Sequence, residues 1–396
     1  ERMTSARGRR MTAEDAVAIT ELSQAAISPD GARVAYVRSR PVVTEDESTR
    51  RGHIWIVPTG GSDSFRLTNG ARGDGQPQWS PDGTHIAFVS RRANDVAQVW
   101  AIRVDGGEAW ALTDSKTTVS NPRWSPEGDR IAYTAAAKST DDERRRKTAR
   151  DDPIVVGVDD STPARLWVVD VQLDADEAPV EFDPPDDGGG GPKATMQTAD
   201  DGHVTEPEWS PDGSRIAFVA SPTPKADDTM FASVIRVLDV DGGSTRPLTA
   251  LGGGETCPRW SPDGHEIAFL HSPEGYGQKD LYVVGVDGGE PLCLTSALDR
   301  TIDNPRWLGS GLEVLFEARM GVERQLYAVP RVGGDLRRLT TASAVHGGTT
   351  VSASGDTFAT LTSASDVPQA LTVGGVADGT RRLTSRSRHR IRSRVC

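Results

Sequence analysis

One stretch of thirteen residues limits what this chain can fold into more than any other feature. From Pro207 to Val219 it reads Pro-Glu-Trp-Ser-Pro-Asp-Gly-Ser-Arg-Ile-Ala-Phe-Val. Its Ser-Pro-Asp-Gly segment has the residues of a type I turn, with proline at the second position and glycine at the fourth. Ile216 and Phe218 then alternate with their neighbours as in a half-buried strand. The stretch predicts a β-hairpin, which must pack against other elements because a lone hairpin is marginal in water.

The same pattern occurs seven times in all. Three further copies keep tryptophan, the whole turn and the apolar strand, and they begin at Pro77, Pro122 and Pro258. Three weaker copies keep the strand and parts of the turn, and they span 27–37, 305–316 and 351–361. A pattern that recurs at a regular spacing is the sequence signature of a repeat architecture.

Each copy is followed by a second signature, an apolar strand, a Gly-rich turn and a short strand that usually ends in Leu-Thr. The segment 99–113 shows it clearly, with Asp105-Gly106-Gly107 as the turn. In the third copy the strand at 166–169 is clear, but its ending is blurred near Thr198. Two hairpins give four strands in about 45 to 50 residues, the size of one propeller blade. The sequence therefore predicts an all-β fold, a seven-bladed β-propeller of four-stranded antiparallel blades.

The recurrent tryptophans are interpreted as structural. They recur because each blade needs the same apolar wedge against its neighbour, and we do not interpret them as a row for ligand stacking. They are Trp79, Trp124, Trp209, Trp260 and Trp307. The repeat begins on the first strand of the first blade and ends on the last strand of the seventh. We therefore expect these two blades to meet by face packing, with no exchanged strand.

Two insertions make the third repeat longer than the others. The first, 139–163, is charged, and the second, 173–193, is acidic and rich in glycine. The second cannot bury a core and is predicted to be a surface loop. The basic run from Arg144 to Lys147 allows two interpretations, a docking patch or a solvated loop, and the adjacent acidic residues favour the loop. The predicted propeller spans 24–384.

Two terminal segments flank the predicted propeller. Residues 1–23 form an N-terminal segment with a short helix at 11–19, which Thr12 can cap. Residues 385–396 form a basic tail that we predict to be disordered, and five arginines from Arg386 to Arg394 alternate in it. Two hypotheses account for this tail: a shifted reading frame or truncated gene, or a genuine basic tail for an acidic partner.

Composition and charge exclude several classes of function. A net charge of −12 argues against nucleic-acid binding, since phosphate contacts need clustered cations. The cysteines Cys257, Cys293 and Cys396 form no disulfide framework, which indicates reduced thiols. No stretch approaches the ~18 apolar residues of a membrane span, and the first ten residues lack the apolar core of a secretion signal. We expect a cytoplasmic protein without nucleic-acid or membrane partners.

The sequence predicts no catalytic, cofactor-binding or metal-binding residues. No Gly-x-Ser-x-Gly elbow is present, and Gly309-Ser310-Gly311 falls in a blade turn. Gly-Gly pairs such as Gly106-Gly107 are interpreted as hairpin turns and not as phosphate cradles, because no helix follows them. We therefore expect no cofactor.

The histidines are scattered, without the spacing of metal ligands. They are His53, His85, His203, His265, His271, His346 and His389. His85 and His265 follow the Pro-Asp-Gly turn at nearly the same repeat position, which predicts that both are exposed to solvent.

The alternation of Trp-Ser-Pro-Asp-Gly hairpins with Leu-Thr endings resembles two groups of propellers. One is the TolB-like propellers, and the other is the propellers of the prolyl oligopeptidase family of serine peptidases. The opening at 11–15 and 26–37 is similar to the start of acylaminoacyl-peptidase-like members. So is the segment in which Asp152-Pro153-Ile154-Val155 precedes the strand at 166–170. The resemblance covers about residues 11–384.

The resemblance implies a function for the propeller. In the peptidase family a C-terminal α/β-hydrolase domain carries the Ser, Asp and His of the triad, and the propeller admits only short or unfolded peptides. No triad residue can be assigned in this chain. We expect a substrate-gating propeller that is inactive alone, with peptides or a hydrolase domain as partners at one face. The alternative is a TolB-like, non-enzymatic propeller that binds proteins or peptides.

Overall fold

Among the described residues, the regular secondary structure is almost entirely β-strand. The structure, a computed structural model, describes residues 19–43, 48–61, 63–93, 96–136, 162–171, 194–198, 201–365, 367–377 and 380–383. The predicted helix up to residue 18, most of the charged insertion, the acidic insertion and the basic tail lie outside the described residues. The domain boundaries at these segments stay predictions.

The described strands follow one another in groups of four. The first twelve are β1 (Glu21–Ile27), β2 (Arg33–Val43), β3 (Ser48–Pro58), β4 (Phe65–Arg66), β5 (Asp74–Trp79), β6 (His85–Ser90), β7 (Gln98–Arg103), β8 (Trp110–Ala111), β9 (Val119–Trp124), β10 (Arg130–Ala136), β11 (Ala164–Asp170) and β12 (Thr195–Met196). The next eight are β13 (His203–Trp209), β14 (Arg215–Ser221), β15 (Val234–Asp239), β16 (Thr245–Pro247), β17 (Gly254–Trp260), β18 (Glu266–Ser272), β19 (Asp280–Gly285) and β20 (Leu292–Cys293). The last eight are β21 (Ile302–Trp307), β22 (Glu313–Met320), β23 (Glu323–Pro330), β24 (Arg337–Arg338), β25 (Val345–Val351), β26 (Thr357–Ala364), β27 (Val367–Gly375) and β28 (Thr380–Arg382). Among the described residues the helix is α1 (Ala226–Phe231), between β14 and β15.

Consecutive strands pair antiparallel to form the sheets of a β-propeller. β1 to β20 form five four-stranded sheets, and β21 to β28 form one eight-stranded sheet. Within the eight-stranded sheet, β21–β24 and β25–β28 are each antiparallel series, and one parallel pair, Arg324 with Val345, joins them. We name each sheet, or each half of the eight-stranded sheet, by its first strand. The first strands β1, β5, β9, β13, β17, β21 and β25 contact one another in this order, and β25 contacts β1.

The Ser-Pro-Asp-Gly turns form as the sequence predicts. In the β13 sheet the Gly213 N–H donates to the Ser210 carbonyl at 2.9 Å, and Gly213 has a φ of +69°. The Ser210 hydroxyl donates to Asp212 Oδ1 at 2.5 Å and accepts from the Arg215 N–H at 2.9 Å. The hydrogen bond from Ser210 lowers the pKa of Asp212. The serine thus links both ends of the turn, which explains its recurrence.

The Leu-Thr ending also has a structural reason. In the β21 half the buried Thr340 hydroxyl accepts from the Leu326 N–H at 3.0 Å and donates to Gln325 Oε1 at 2.6 Å. The same hydrogen bond between a threonine and the third strand occurs in the β9 sheet, where the Thr198 hydroxyl accepts from the Leu166 N–H of β11 at 2.9 Å. Thr198 is therefore the missing threonine of the third repeat. The threonine satisfies a third-strand N–H that the short fourth strand does not reach.

The tryptophans join neighbouring sheets, as predicted, and they do so in two ways. Each indole is buried, with 6–9% of its surface exposed. Each Nε1 also donates to a carbonyl on the first strand of the preceding sheet, at 2.8 to 3.3 Å. The pairs are Trp79 with Ala26, Trp124 with Gln78, Trp209 with Arg123, Trp260 with Glu208, and Trp307 with Arg259. The wedge is thus also a hydrogen-bonded tie between sheets.

Within the described residues, the β1 sheet and the β25 half close the ring without exchanging a strand, as predicted. Each is built from consecutive strands. The Leu22 N–H donates to Gln369 Oε1 at 2.9 Å, and the Ala353 N–H donates to the Pro29 carbonyl at 3.0 Å. A shared apolar cluster that includes Tyr36 lies between them. Closure therefore rests on packing and on a few hydrogen bonds.

The antiparallel order gives the propeller two distinct faces. The Ser-Pro-Asp-Gly turns and the turns between third and fourth strands lie on one side, which we call the turn face. The connections between second and third strands, and those from each fourth strand to the next sheet, lie on the other, the loop face. Glu21, where β1 begins, and Arg382, where β28 ends, both lie at the loop face.

Candidate binding site at the propeller axis

Every first strand carries a β-bulge at the same place. Its first bulged residue has a φ between +52° and +62°, and the strand register shifts there. These residues are Gln24, Gln76, Asn121, Glu206, Cys257, Asn304 and Gly348. A bulge bends its strand and changes the direction of the following side chains. The bulges therefore determine which residues face the axis of the ring.

Three side chains at the bulges, Gln24, Gln76 and Glu206, accept a hydrogen bond from the next sheet. The Gln76 N–H donates to Gln24 Oε1 at 2.6 Å, and the Asn121 N–H donates to Gln76 Oε1 at 2.8 Å. The Cys257 N–H likewise donates to Glu206 Oε2 at 2.6 Å. A left-handed backbone is unfavourable for these residues, and the hydrogen bonds help to stabilise it. The side-chain oxygens of Gln24 and Gln76 and Oε2 of Glu206 therefore link neighbouring sheets.

Each first strand has one position where the residue type differs from strand to strand. It lies two residues after the first bulged residue and directly before the tryptophan position. These residues are Ala26, Gln78, Arg123, Glu208, Arg259, Arg306 and Thr350. Because side chains alternate along a strand, they point away from the buried tryptophans. The sequence carries a signal for this position, because the residue between the repeated Pro and Trp is charged in four of the five copies that have both.

Arg123, Arg259 and Arg306 converge near the axis. Arg123 and Arg259 interact electrostatically although the whole β13 sheet separates their strands, and Arg306 interacts with both. Side chains of non-neighbouring sheets come close only where the first strands surround the axis. The three arginines are half-buried, and Arg259 Nη1 lies 3.2 Å from Glu208 Oε2.

The three guanidinium groups make the same backbone hydrogen bond but differ in their carboxylate partners. Each Nη1 donates to the carbonyl of the preceding proline, at 3.0 Å in Arg123, 2.7 Å in Arg259 and 2.8 Å in Arg306. Within the described part of the chain, Arg259 has a carboxylate partner, whereas Arg123 and Arg306 form no ion pair. Burial, followed by repulsion from Arg259, lowers the pKa of Arg306 to about 9. Burial also lowers the pKa of Arg123, whereas Glu208 raises that of Arg259 against the effect of burial.

A buried carboxylate between the β1 and β5 sheets belongs to the scaffold. Asp74 Oδ1 accepts from Arg92 Nη2 at 2.8 Å, and Asp74 Oδ2 accepts from the Gly70 N–H at 2.9 Å. His53 Nδ1 lies 3.5 Å from Asp74 Oδ2. Among the described residues no serine hydroxyl is hydrogen-bonded to His53, so this group lacks the nucleophile–base contact of a catalytic triad.

No group of three or more His, Cys, Asp or Glu side chains within the described ranges is arranged to hold a metal ion. The absence of catalytic and cofactor-binding residues stays a prediction. Cys257 and Cys293 are free thiols, and burial followed by Glu206 raises the pKa of Cys257 to about 11, so its thiol is unreactive at neutral pH. In the described part of the chain, no helix has the length and apolar character needed to cross a bilayer.

The predicted exposure of both turn-following histidines was wrong for one of them. His265 is exposed, but His85 is buried, with 8% of its surface accessible. His85 lies one repeat position later than His265, at the start of β6. Its ring packs edge-on against Trp110 at 5.6 Å, and its Nδ1 lies 2.7 Å from Thr84 Oγ1. That one-residue offset moves the side chain from solvent to the packed face, because strand side chains alternate.

Acidification should destabilise the fold through His346. This residue is 1% exposed, and burial followed by the charge of Arg338 lowers its pKa from 6.5 to about 4. The unfolded chain therefore binds more protons between pH 6.5 and 4. We expect the free energy of unfolding to fall as pH drops through this window, by up to about 3 kcal/mol from His346 when the pH reaches 4. Urea unfolding at a series of pH values measures the slope.

The substitution His346→Val provides the matched control. Val119 and Val204 occupy the corresponding position, two residues before the bulge, in the sheets that begin with β9 and β13. We expect the variant to have a flatter pH dependence between pH 6.5 and 4. The remaining slope would come from His85, His203 and His271, whose pKa values are also lowered by burial, and near pH 4 from carboxyl groups with lowered pKa values such as Asp74 and Asp212. An unchanged slope would show that His346 does not carry the effect.

The loop face presents exposed apolar side chains. Phe231 at the end of α1 packs edge-on against Tyr276 at 5.5 Å, and Tyr276 is 63% exposed. Leu251 and Val322 are also exposed, at 41% and 93%. Exposed apolar groups beside one another are typical of surfaces that meet another protein surface.

Comparison with protein families finds a model that matches most of the chain. It is PD40, described as a TolB beta propeller domain, and it matches residues 8–158 and 186–390. Among curated proteins, the chain is 28% identical over 360 residues to dipeptidyl-peptidase 5 of Porphyromonas gingivalis. That alignment covers 84% of this chain and 50% of the relative, so the chain spans about half of the relative's length.

Two solved structures share the fold. A puromycin-hydrolyzing peptidase of Mycobacterium tuberculosis superposes with a TM-score of 0.66 at 18% identity, covering 93% of this chain and 54% of that one. The β-propeller domain of the Trilobed protease from Pyrococcus furiosus, described as having an open velcro topology, superposes with a TM-score of 0.63 at 15% identity. It covers 92% of this chain and 98% of that domain. The predicted resemblance to TolB-like propellers and to peptidase propellers is confirmed at the level of family and fold.

Proposed function

The chain belongs to the PD40 family of TolB β-propeller domains, and from this we propose that it is the substrate-gating propeller of a peptide-hydrolysing protein. The carrying observation is that β1 begins and β28 ends at the same face, the loop face. The chain therefore enters β1 and leaves β28 on one side of the ring, and we place a catalytic domain over the axis on that side. The half-length match to dipeptidyl-peptidase 5 supports the same arrangement.

We propose that the ring has seven blades. The support is that each of the seven first strands contacts the next, and that β21–β24 and β25–β28 are separate antiparallel series. The parallel link between these series is limited to Arg324 and Val345, which is too short to make them one structural unit. An experimental density map viewed along the axis would count the blades directly.

In the proposed mechanism the propeller selects substrates by size. A rigid ring tied by indole–carbonyl hydrogen bonds excludes folded proteins from a catalytic centre placed over the loop face. Short or unfolded peptides enter along the axis or at the edge of the loop face. The residues described here would position and filter the peptide, and the bond cleavage would take place on a hydrolase domain. The apolar pair of Phe231 and Tyr276 would contribute to the contact with that domain.

A chimaera tests the gating role. We would replace the propeller of P. gingivalis dipeptidyl-peptidase 5 with residues 8–390 of this chain. The control is dipeptidyl-peptidase 5 from which the propeller has been removed. The proposal predicts that the chimaera cleaves a dipeptidyl chromogenic substrate but leaves a folded protein intact. Cleavage of both by the chimaera would contradict the gating role. The purified chain alone should cleave neither, and turnover by it would contradict the assignment of catalysis to another domain.

The second candidate is a non-enzymatic propeller that binds proteins or peptides, which the TolB description of the family model favours. Tight binding of unstructured peptides by the isolated chain, together with a chimaera that fails to fold around the hydrolase, would favour this candidate. We also propose a cytoplasmic location, supported by the free thiols of Cys257 and Cys293. Fractionation of the source cells with an antibody against the chain would test it.

A further inference from the structure

We propose that the propeller axis holds an anion-binding site, formed by Arg123, Arg259 and Arg306, for a single carboxylate or phosphate group. The site does not depend on the proposed gating role, because its argument uses the charges around the axis alone. The three side chains come from three different first strands, lie at equivalent positions of those strands and interact electrostatically with one another.

The first argument is the supply of hydrogen-bond donors. A guanidinium group has five N–H donors and no acceptor. Arg123 and Arg306 each donate one described hydrogen bond, from Nη1 to the preceding proline carbonyl. That bond fixes the side chains in matching poses and leaves most of their donors for solvent or a ligand. Planar guanidinium groups suit carboxylate and phosphate oxygens, which they bind with short, charge-assisted hydrogen bonds.

The second argument is that the positive charge of the three arginines is only partly compensated. Glu208 pairs with Arg259, and Glu206 Oε2 accepts the Cys257 N–H, so these two carboxylates have partners at the same level of the axis. Arg123 and Arg306 have no carboxylate within ion-pair distance in the described residues, although both are half-buried. Glu208 acts favourably on both from a greater distance, so three guanidinium groups share the carboxylates that already have these partners. Half-buried positive charges that repel one another are stabilised by an anion between them. The low pKa of Arg306 agrees with this geometry.

The third argument is the shape of the site. The arginines lie on β9, β17 and β21, so the charged side chains line one arc of the axis. The remaining arc carries the uncharged Ala26, Gln78 and Thr350 at the same level. An anion would therefore be held towards one side of the axis, with uncharged side chains opposite. This arrangement fits a group carried on the end of a chain, such as the terminal carboxylate of a peptide, and it also fits free phosphate.

The experiment uses the full chain and inorganic phosphate at pH 7.5, with potassium chloride adjusted to keep the ionic strength constant. We expect calorimetry to show saturable binding and the melting temperature to rise with phosphate. The test variant is Arg306→Gln, because Gln78 shows that this side chain fits the equivalent position. We expect it to weaken phosphate binding about tenfold or more. Without phosphate it should melt at or above the wild-type temperature, because a repelled charge has been removed.

The control variant is Arg103→Gln, which makes the same charge change at an exposed residue paired with Asp105. It should bind phosphate like the wild type. Arg123→Gln is a second test variant and should also weaken binding. The proposal is overturned if the wild type shows no saturable response to phosphate, or if both axial variants bind it as the wild type does.

Two peptide probes then separate the sources of the anion. Trialanine carries a free terminal carboxylate, and trialanine amide is the same peptide without that charge. Competition with phosphate by trialanine, but not by its amide, assigns the site to a peptide terminus. Saturable phosphate binding without competition by trialanine assigns the same site to a free oxyanion. Equal competition by both peptides would show that the arginines do not recognise the carboxylate, which overturns the peptide assignment.

Discussion

Replacing Trp307 with alanine should lower the free energy of unfolding by about 3–5 kcal/mol. The indole is 8% exposed and lies in an apolar cluster that includes Leu281 and Val314 from two different sheets. Its Nε1 also donates to the Arg259 carbonyl at 2.8 Å. Alanine removes both the wedge and the tie between the β17 sheet and the β21 half. Urea unfolding followed by far-UV circular dichroism measures the loss.

Trp307→Phe separates the two contributions. Phenylalanine keeps an aromatic ring but leaves the Arg259 carbonyl without its indole donor, so we expect a smaller loss of about 1–2 kcal/mol. Val322→Ala, at a residue that is 93% exposed, should change stability by less than about 0.5 kcal/mol. If the alanine and phenylalanine variants of Trp307 were equally unstable, the hydrogen bond and not the packed ring would dominate this interface.

Replacing Gly355 with alanine should cost about 2–5 kcal/mol, because two penalties act together. Gly355 has a φ of +71°, a left-handed conformation that is unfavourable for alanine. An added Cβ would also overlap the backbone nitrogen of Gly309 in the preceding half of the eight-stranded sheet. The contact between the β21 and β25 halves would have to open. The shift in the urea midpoint at constant m-value measures the cost.

Gly83→Ala is the matched control for this prediction. Gly83 occupies the equivalent turn position with a φ of +69°, but the atom nearest to its added Cβ is Pro29 Cδ at 3.8 Å. Only the conformational penalty of about 1–2 kcal/mol applies there. Equal losses for Gly83 and Gly355 would show that the backbone approach at Gly309 relaxes without cost.

The repeat pattern was sufficient to predict the local structure. The positions of the turns, strands and tryptophans follow from local sequence. The segment from Ser210 to Gly213 forms the hydrogen bonds of its turn within itself, and the large apolar side chain of Trp209 favours burial. The predicted fold class, all-β propeller with four-stranded antiparallel sheets, is confirmed. The tie from each indole to the preceding sheet was not predicted, since its acceptor is a backbone carbonyl far away in sequence.

The proximity of Arg123, Arg259 and Arg306 at the axis could not be predicted from the sequence, for a different reason. Arg123 and Arg306 are 183 positions apart, and only closure of the ring brings their charges into interaction. The direction of these side chains also depends on the bulges at Asn121 and Asn304, whose left-handed backbone is not encoded by a glycine. His85 shows the same limit on a smaller scale, because one position along a strand decides between solvent and core.

The placement of the bulges has a consequence for how such proteins diversify. Residues that hold the ring together, such as Trp260, point between the sheets, whereas its chain neighbour Arg259 points to the axis. Substitutions at the axial position leave the inter-sheet ties in place, and one backbone already accommodates alanine, glutamine, threonine, glutamate and arginine there. Selectivity at the centre can therefore be rewritten residue by residue, by evolution or by an engineer, while the architecture persists.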